Sequence, residues 1–369
     1  MKKRIRSITK STPGLPISFT LFVLPIILSV IGLIFVFESS SIRALSETGD
    51  SFHYLKLQGF RIVFGIIGMF ILSYFNYKNL YIISFPFLAF VVLTLLLVLI
   101  PGIGTLVNGT RGWINLGFFN MQPTEFAKVA LILYLSSWFS QKGKNHFVPF
   151  MLLLGLIIML IMIQPDLGAA TIIFSLSITI YYLAGQNLRY LLLLFPVSVV
   201  GFVLLIFAAP YRLRRLTAFL NPTEDPQGVG YHINQILISL SNGGLFGQGF
   251  GASRQKYLFL PEAHTDSIFA IYGEELGFIG SVILIGAFVF FLYKLLKIYE
   301  STSDRFAQLL IGGILAFFGL QLLINLGGMV GLMPLTGVPL PFISYGGSHI
   351  LISFALVGIA VNIAKSTRV

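Results

Sequence analysis

The sequence predicts an all-α, polytopic membrane protein of about ten transmembrane helices, with a large extracytoplasmic loop between the seventh and eighth. Three observations carry that reading. Of the 369 residues, 56% are hydrophobic and only 10% are charged, against roughly 25% charged in a soluble domain. The apolar residues come in long runs rather than as one stripe of a helix, which marks segments buried in lipid. The basic residues gather at the ends of those runs, where they set orientation across a bilayer.

The expected spans cover roughly 16–37, 58–75, 79–100, 123–139, 147–163, 167–184, 189–209, 266–293, 306–332 and 345–364, each about long enough to cross the hydrocarbon core. The N-terminal MKKRIRSITK is a basic head followed by a Thr-Pro-Gly-Leu-Pro break and a full-length apolar run without a small-residue cleavage site, so a retained first helix is expected. An even number of spans puts both termini on one side. Lys2, Lys3, Arg4, Arg6, Lys10, Lys78, Lys142, Lys144, Arg189, Lys294, Lys297, Arg305, Lys365 and Arg368 all fall on that side in short segments, which makes it the cytoplasmic one. The formal net charge of +11 is therefore topological, and no nucleic-acid partner is expected. The chain has no cysteine, which excludes disulfides, thiolate chemistry and zinc–cysteine sites. The whole chain reads as a single transmembrane domain, with residues 1–15 a cytoplasmic segment and 210–265 the large loop.

That loop is too polar to span and too long for a simple connector, and such loops are usually functional or disordered. It keeps Ile233, Ile236, Leu237, Ile238, Leu240 and Phe246 at partly helical spacing, so it is expected to be ordered against the helices. GQGFGAS (247–253) has glycines at alternate positions but follows no expected strand, which rejects a dinucleotide reading and leaves tight turns.

The acidic residues are the informative ones. FLPEAHTDSIFAIYGEELGF (259–278) holds Glu262, Asp266, Glu274 and Glu275. Asp266 stands at the entry to a span, as a helix N-cap or as a carboxylate at the membrane boundary, a costly position that argues for function. There it would be a general base or a metal ligand, its pKa raised by an apolar setting. Glu274 and Glu275 would lie roughly 12–14 Å further along the same helix and read as structural polar groups in a buried ion pair. In RGWINLGFFNMQPTEFAKVA (111–130), Pro123 opens a helix, and Glu125 and Lys128 share a face. They form an internal ion pair or, with Arg111, the wall of an anion-binding pocket. Arg212, Arg214 and Arg215 follow the seventh span on the side where topology gives no reason for them. Guanidinium forks suit phosphate oxygens, although lipid head-group anchoring also fits. Glu262 and Lys256 are further substrate-binding candidates from the loop. NLGGMVGLMPLTGVPLPFISYGGSH (325–349) is too rich in Gly and Pro for helix, and irregular backbone at membrane depth must be covered by protein or line a cavity. His264 and His349 lack metal-ligand spacing and read as structural.

Three blocks, GTRGWINLGFFNMQPTEFAKVALILY, the loop from YRLRRLTAFLNPTEDPQGVGYHINQ to GEELGFIG, and LMPLTGVPLPFISYGGS, resemble the SEDS family of bacterial peptidoglycan polymerases, the FtsW/RodA/SpoVE group. The resemblance covers nearly the whole chain, and PEAHTD with RRLTAFLNP is nearer to the division member than to the elongation member. It implies a ten-helix glycosyltransferase of the cytoplasmic membrane, with its active site on the outside. Such an enzyme polymerises lipid II with loss of undecaprenyl pyrophosphate. It works with a class B penicillin-binding protein and other membrane proteins of the division or elongation complex. A divalent cation, Mg or Mn, is commonly implicated and no organic cofactor. The family's essential aspartate matches Asp266, its QPxEFAK pair Glu125 and Lys128, its QPDLG aspartate Asp166, and its loop arginines Arg212, Arg214 and Arg215. On that basis Asp266 is the base or a metal ligand, the arginines and Lys128 stabilise pyrophosphate, Glu125 orients Lys128, and Glu262 shapes the pocket. The chain departs from the pattern at Ser267, where Phe is usual, at His349, where Ser is common, and at Gly112, where a second basic residue often stands. A lipid II flippase, with its critical groups at Asp166, Glu274 and Glu275, is the alternative from another class. A scaffold without chemistry would leave the buried charges unexplained.

Overall fold

The computed structural model describes residues 17–107, 109–117, 119–141, 147–207, 209–222 and 228–367. The expected N-terminal segment 1–15, Lys142 and Lys144, and the TEDPQ stretch at 223–227 lie outside them. The described chain is mostly helical. In order, its helices are α1 (Ile17–Thr48), α2 (His53–Tyr74), α3 (Tyr77–Leu97), α4 (Pro123–Ser140), α5 (Phe147–Ile163), α6 (Leu167–Leu183), α7 (Leu188–Phe207), α8 (Pro210–Leu220), α9 (Val229–Gly243), α10 (Ile268–Ser301), α11 (Arg305–Met329) and α12 (Gly347–Thr367). Six of them, α1, α2, α3, α10, α11 and α12, are long and apolar enough to cross a membrane. This is a multi-pass membrane protein. Helices α5 and α6 are apolar but shorter, and α4 and α7 cover the other two expected spans.

Burial follows neighbours. Helix α4 packs against α3, α6, α11 and α12, and α12 packs against α1, α2 and α4, so these central helices meet protein on most faces. Most residues of α4, including Glu125 and Lys128, are buried, which explains how a helix in this position carries charge. Helix α2, by contrast, exposes Phe60, Val63, Phe64, Ile67, Phe70 and Ile71, the outward face of a lipid-exposed helix.

Two features differ from the sequence expectation. The chain is not purely helical: Gly104–Val107 (β1), Thr110–Asn115 (β2) and Asn120–Met121 (β3) form an antiparallel three-stranded sheet. Gly109, between the two strands, has φ +79°, and the Asn-Gly pair of the sequence there is a hairpin signal. It stands beside apolar runs that dominate the reading of the region. The second difference lies in α10, expected as an unbroken span over 266–293. It breaks at Gly277 (φ 66°, ψ −165°) into a short buried helix over 268–276 and a long one that buries only one face.

The glycine-rich strap after α9 makes that break possible. Gln248 and Gly249 donate their N–H groups to the carbonyls of Glu274 and Glu275 at 3.0 and 3.1 Å, and Phe278 and Ile279 donate to Gly244 and Leu245 at 2.9 and 3.1 Å. The strap thus satisfies the backbone groups that the broken helix leaves open. A side chain at Gly243 or Gly247 would collide with the backbone of Gly273 or Glu275, so these glycines serve close approach. The expected order of the loop holds for Ile233 and Ile236, which are buried, while Leu237, Ile238 and Phe246 are exposed.

The Gly/Pro-rich stretch 330–346 is irregular, and its segment 340–344 is buried. Gln58 donates to the Ser344 carbonyl at 3.2 Å, Tyr345 N–H to the His264 carbonyl at 2.9 Å, and Asn325 to the Val338 carbonyl at 2.8 Å. Non-helical backbone is covered by protein here, as membrane depth requires.

Candidate functional site

The turn before α10 positions Asp266. Its residue Glu262 has left-handed backbone (φ +49°), a strain of the kind that gathers at functional sites. The turn closes by N–H bonds from Thr265 and Ser267 to the Glu262 carbonyl, at 3.1 and 3.2 Å. The Thr265 hydroxyl lies 2.9 Å from Glu262 Oε2 and 3.1 Å from Asp266 Oδ1, so it bridges the two carboxylates. Burial pushes the Asp266 carboxyl up to about 6, and the charge of Glu262 adds to the rise.

Asp266 is not the helix cap. The N-cap position is Ser267, and it makes no capping bond; its hydroxyl instead pairs with His232 Nε2 at 2.7 Å. Burial holds His232 down to about 4, so at neutral pH the imidazole is uncharged. The serine that departs from the family pattern thus links α9 to the Asp266 turn. From α11, the Asn325 side chain donates to the Asp266 carbonyl at 2.9 Å, while its second bond holds Val338. Gly337 (φ +74°) leaves room beside Asp266: a side chain there would sit 3.7 Å from Oδ2. On the other flank of this loop, Gly168 packs against the Thr336 carbonyl. Asp166, two residues before Gly168, caps α6 by accepting from Ala169 N–H at 2.9 Å.

The second cluster is Glu125, Lys128 and His349. Lys128 Nζ lies 2.5 Å from Glu125 Oε1, and His349 Nδ1 lies 3.5 Å from Glu125 Oε2. The expected ion pair forms, with a third member from α12. Both Lys128 and Glu125 lie within Coulombic reach of Asp166.

Helix α8 carries the arginines. Arg212 is buried and donates to the Tyr211 hydroxyl at 2.8 Å, which in turn donates to the Pro165 carbonyl at 3.2 Å. Arg214 is exposed and Arg215 half-buried. Arg215 is close enough for its charge to act on Asp266, Asp166 and His232. Arg111 sits on β2, paired across the sheet with Leu106, its stem running past Gly104. Among the described residues no group of three or more His, Cys, Asp or Glu is arranged to hold a metal. An apolar cavity of about 290 Å³ opens at the α10 break, lined in part by Leu240, Phe269, Gly273, Gly277 and Phe278.

Lys256 is committed elsewhere. Its ammonium bonds Glu38 Oε2 and the Gly251 carbonyl at 2.7 Å each and lies 3.6 Å from Glu275. Glu274 accepts from the Ser253 hydroxyl at 2.5 Å and from Ser239 and Asn242 at 3.5 Å. The two glutamates therefore anchor the loop to α10 and α1, and Lys256 belongs with them rather than with the substrate candidates. Lys256→Met is expected to lower stability by roughly 3–5 kcal/mol, because it leaves buried carboxylates uncompensated, while leaving KM unchanged. Thermal melting and kinetics on the same preparation check both halves.

His232, His349, Thr265 and Asn325 are the members that sequence reasoning missed. For His232 the signal was its place in the QGVGYHINQ block; for His349 it was the departure from the family pattern. Thr265 and Asn325 carried none that separates them from ordinary polar residues.

Comparison with known proteins adds an independent line. A family model described as cell cycle protein, FtsW/RodA/SpoVE, matches residues 19–369. The chain is 38% identical over 365 residues to stage V sporulation protein E of Bacillus subtilis, covering 97% of this chain and 99% of that one. It is 37% identical to the probable peptidoglycan glycosyltransferase FtsW of a Geobacter species, covering 93% and 95%. Among solved structures it resembles a chain from a study of polymerization and crosslinking by a peptidoglycan synthase complex, with TM-score 0.78, 26% identity and coverage of 95% and 98%. The rod shape determining protein RodA of Thermus thermophilus follows, with TM-score 0.70, 25% identity and coverage of 94% and 96%.

Proposed function

This chain belongs to the FtsW/RodA/SpoVE family, and from that premise we propose that it is a peptidoglycan glycosyltransferase that polymerises lipid II with loss of undecaprenyl pyrophosphate. The observation that carries the reading is the half-buried Asp266 carboxyl, raised to about 6 on a strained turn with a cationic guanidinium in reach. In this reading α4–α7 complete ten spans, both termini are cytoplasmic, and the Asp266 turn faces outward.

Joining a sugar hydroxyl to the anomeric carbon of a lipid-linked strand, with inversion, needs a base for the hydroxyl and positive charge for the leaving pyrophosphate. Asp266 is the base: its raised pKa strengthens it as a proton acceptor, and it is deprotonated at neutral pH. Glu262 and Thr265 hold its orientation. Arg215, with Arg212 and Arg214 on the same helix, and Lys128 meet the pyrophosphate, and Glu125 orients Lys128. Arg111 extends the positive wall from the sheet. The prenyl chain leaves along the apolar cavity at the α10 break, where Phe269 lies one turn from Asp266. A divalent ion of the magnesium type takes one or two carboxylates and completes its shell with substrate phosphates and water. Asp266 and Glu262 are the pair that would hold it, supplying further charge neutralisation at the leaving group. A class B penicillin-binding protein and other wall-synthesis membrane proteins are the proposed partners, in line with the peptidoglycan synthase complex that a structural neighbour comes from.

The transport reading loses its supports, because Glu274 and Glu275 are engaged with the loop and Asp166 caps α6. The test is purified protein, with its penicillin-binding partner, given labelled lipid II. Lengthened glycan is the expected product; movement of lipid II across liposomes without lengthening would establish transport instead.

A further inference from the structure

His349 is a buried imidazole for which the proposed mechanism has no use. It is 4% exposed, neither ring nitrogen makes a hydrogen bond, and the facing oxygen of Glu125, Oε2, makes none either. Leaving such groups buried and unpaired is costly, yet here the two lie 3.5 Å apart.

The surrounding contacts hold them there. The Gln122 N–H at the mouth of α4 donates to the Ser348 hydroxyl at 2.9 Å, which points back to the Asn120 carbonyl at 3.4 Å. Gly347 leaves space for Phe119 and Arg61, which a side chain would crowd. The first turn of α12 is thereby fastened to the first turn of α4, and His349 is aimed at Glu125. The other oxygen of that carboxylate is taken by Lys128.

We propose that His349 is a positioning residue of the substrate site: its Nδ1–H donates to Glu125 Oε2, fixing the carboxylate so that Lys128 presents its remaining N–H donors to the anionic leaving group. The inference rests on the polymerase reading of this site. Catalytic hydrogen bonds are often long without substrate and tighten in the loaded complex, and a 3.5 Å approach of two unpaired partners suits that behaviour. The role is to orient: His349 acts on substrate through Glu125 and Lys128, so its loss should appear mainly in substrate affinity.

The amide nitrogen of Asn occupies nearly the place of Nδ1, that of Gln nearly the place of Nε2, and Leu donates nothing. The full-length protein with its penicillin-binding partner is assayed on labelled lipid II as wild type, His349→Asn, His349→Gln and His349→Leu, with melting temperatures in the same detergent. Expected is a rise in KM of about tenfold or more for Leu and Gln with a smaller change in kcat, as loss of a hydrogen bond to a charged group predicts. Asn should restore KM to within about threefold of wild type. A Leu variant with wild-type KM, or equal losses in all three variants that track their melting temperatures, overturns the proposal in favour of a packing role. A wild type that makes no glycan overturns the polymerase reading itself, and the proposal with it, which separates the two failures.

Discussion

Asp266→Asn is expected to cut glycan polymerisation on lipid II by on the order of 100-fold or more, the scale of a lost general base, while the protein folds and membrane insertion is retained. Asn matches the shape of Asp and cannot take the proton. Because Ser267, not Asp266, holds the N-cap position, the substitution removes no cap. The wild-type rate should fall as pH falls through about 6, where the carboxyl becomes protonated, and the rate of Asp266→Asn should lack that inflection. The stability effect has the opposite sign. The folded pKa near 6 exceeds the unfolded value of about 4, so the native state holds the proton more tightly. As pH rises from about 4 through 6 the fold progressively bears the cost of a buried charge. Asn removes that cost, so at pH 8 the variant should be more stable by on the order of 1–3 kcal/mol. Wild-type polymerisation by Asp266→Asn would end the catalytic assignment; a variant that is inactive and also melts lower would point to a structural role.

Gly277→Ala is expected to damage the fold severely, costing several kcal/mol. Two causes add. Gly277 has φ +66° and ψ −165°, a backbone region essentially confined to glycine. A methyl group there would also strike the backbone of Gly247 and Phe246 and the Leu245 carbonyl. Relief requires the strap to lift, which breaks the four backbone bonds it makes with α10 and disturbs the anchors at Glu274 and Glu275. Since Asp266 stands just before the helix that ends at Gly277, activity should fall with stability. Gly286→Ala is the control: Gly286 lies in the same helix with no atom near its missing side chain, and there alanine favours helix by up to about 1 kcal/mol. Thermal melting in detergent compares them, and similar melting temperatures would refute this account of the break.

How much was readable beforehand varied with range. Hydrophobic runs and basic flanks are local properties of the chain, and they sufficed for a multi-pass helical protein, for the helices at the expected places, and for Asp266, Glu125 and Lys128 as the residues to follow. Buried charge stands out in a sequence because lipid makes it costly. The sheet over 104–121 was hidden because strands this short carry little periodicity. The break at Gly277 was hidden because a lone glycine in an apolar run is compatible with helix; only the strap from 244–249, arriving from a distant part of the chain, makes the broken form favourable. The same holds for side-chain roles. Nothing near Lys256 in sequence announces Glu38, 218 positions earlier, and nothing near Glu125 announces His349. The sequence by itself determined that the chain is a multi-pass helical membrane protein and which charges must be explained. Only the tertiary structure decided which of them stay available for chemistry, because burial leaves a charged group stable only where packing brings it a partner.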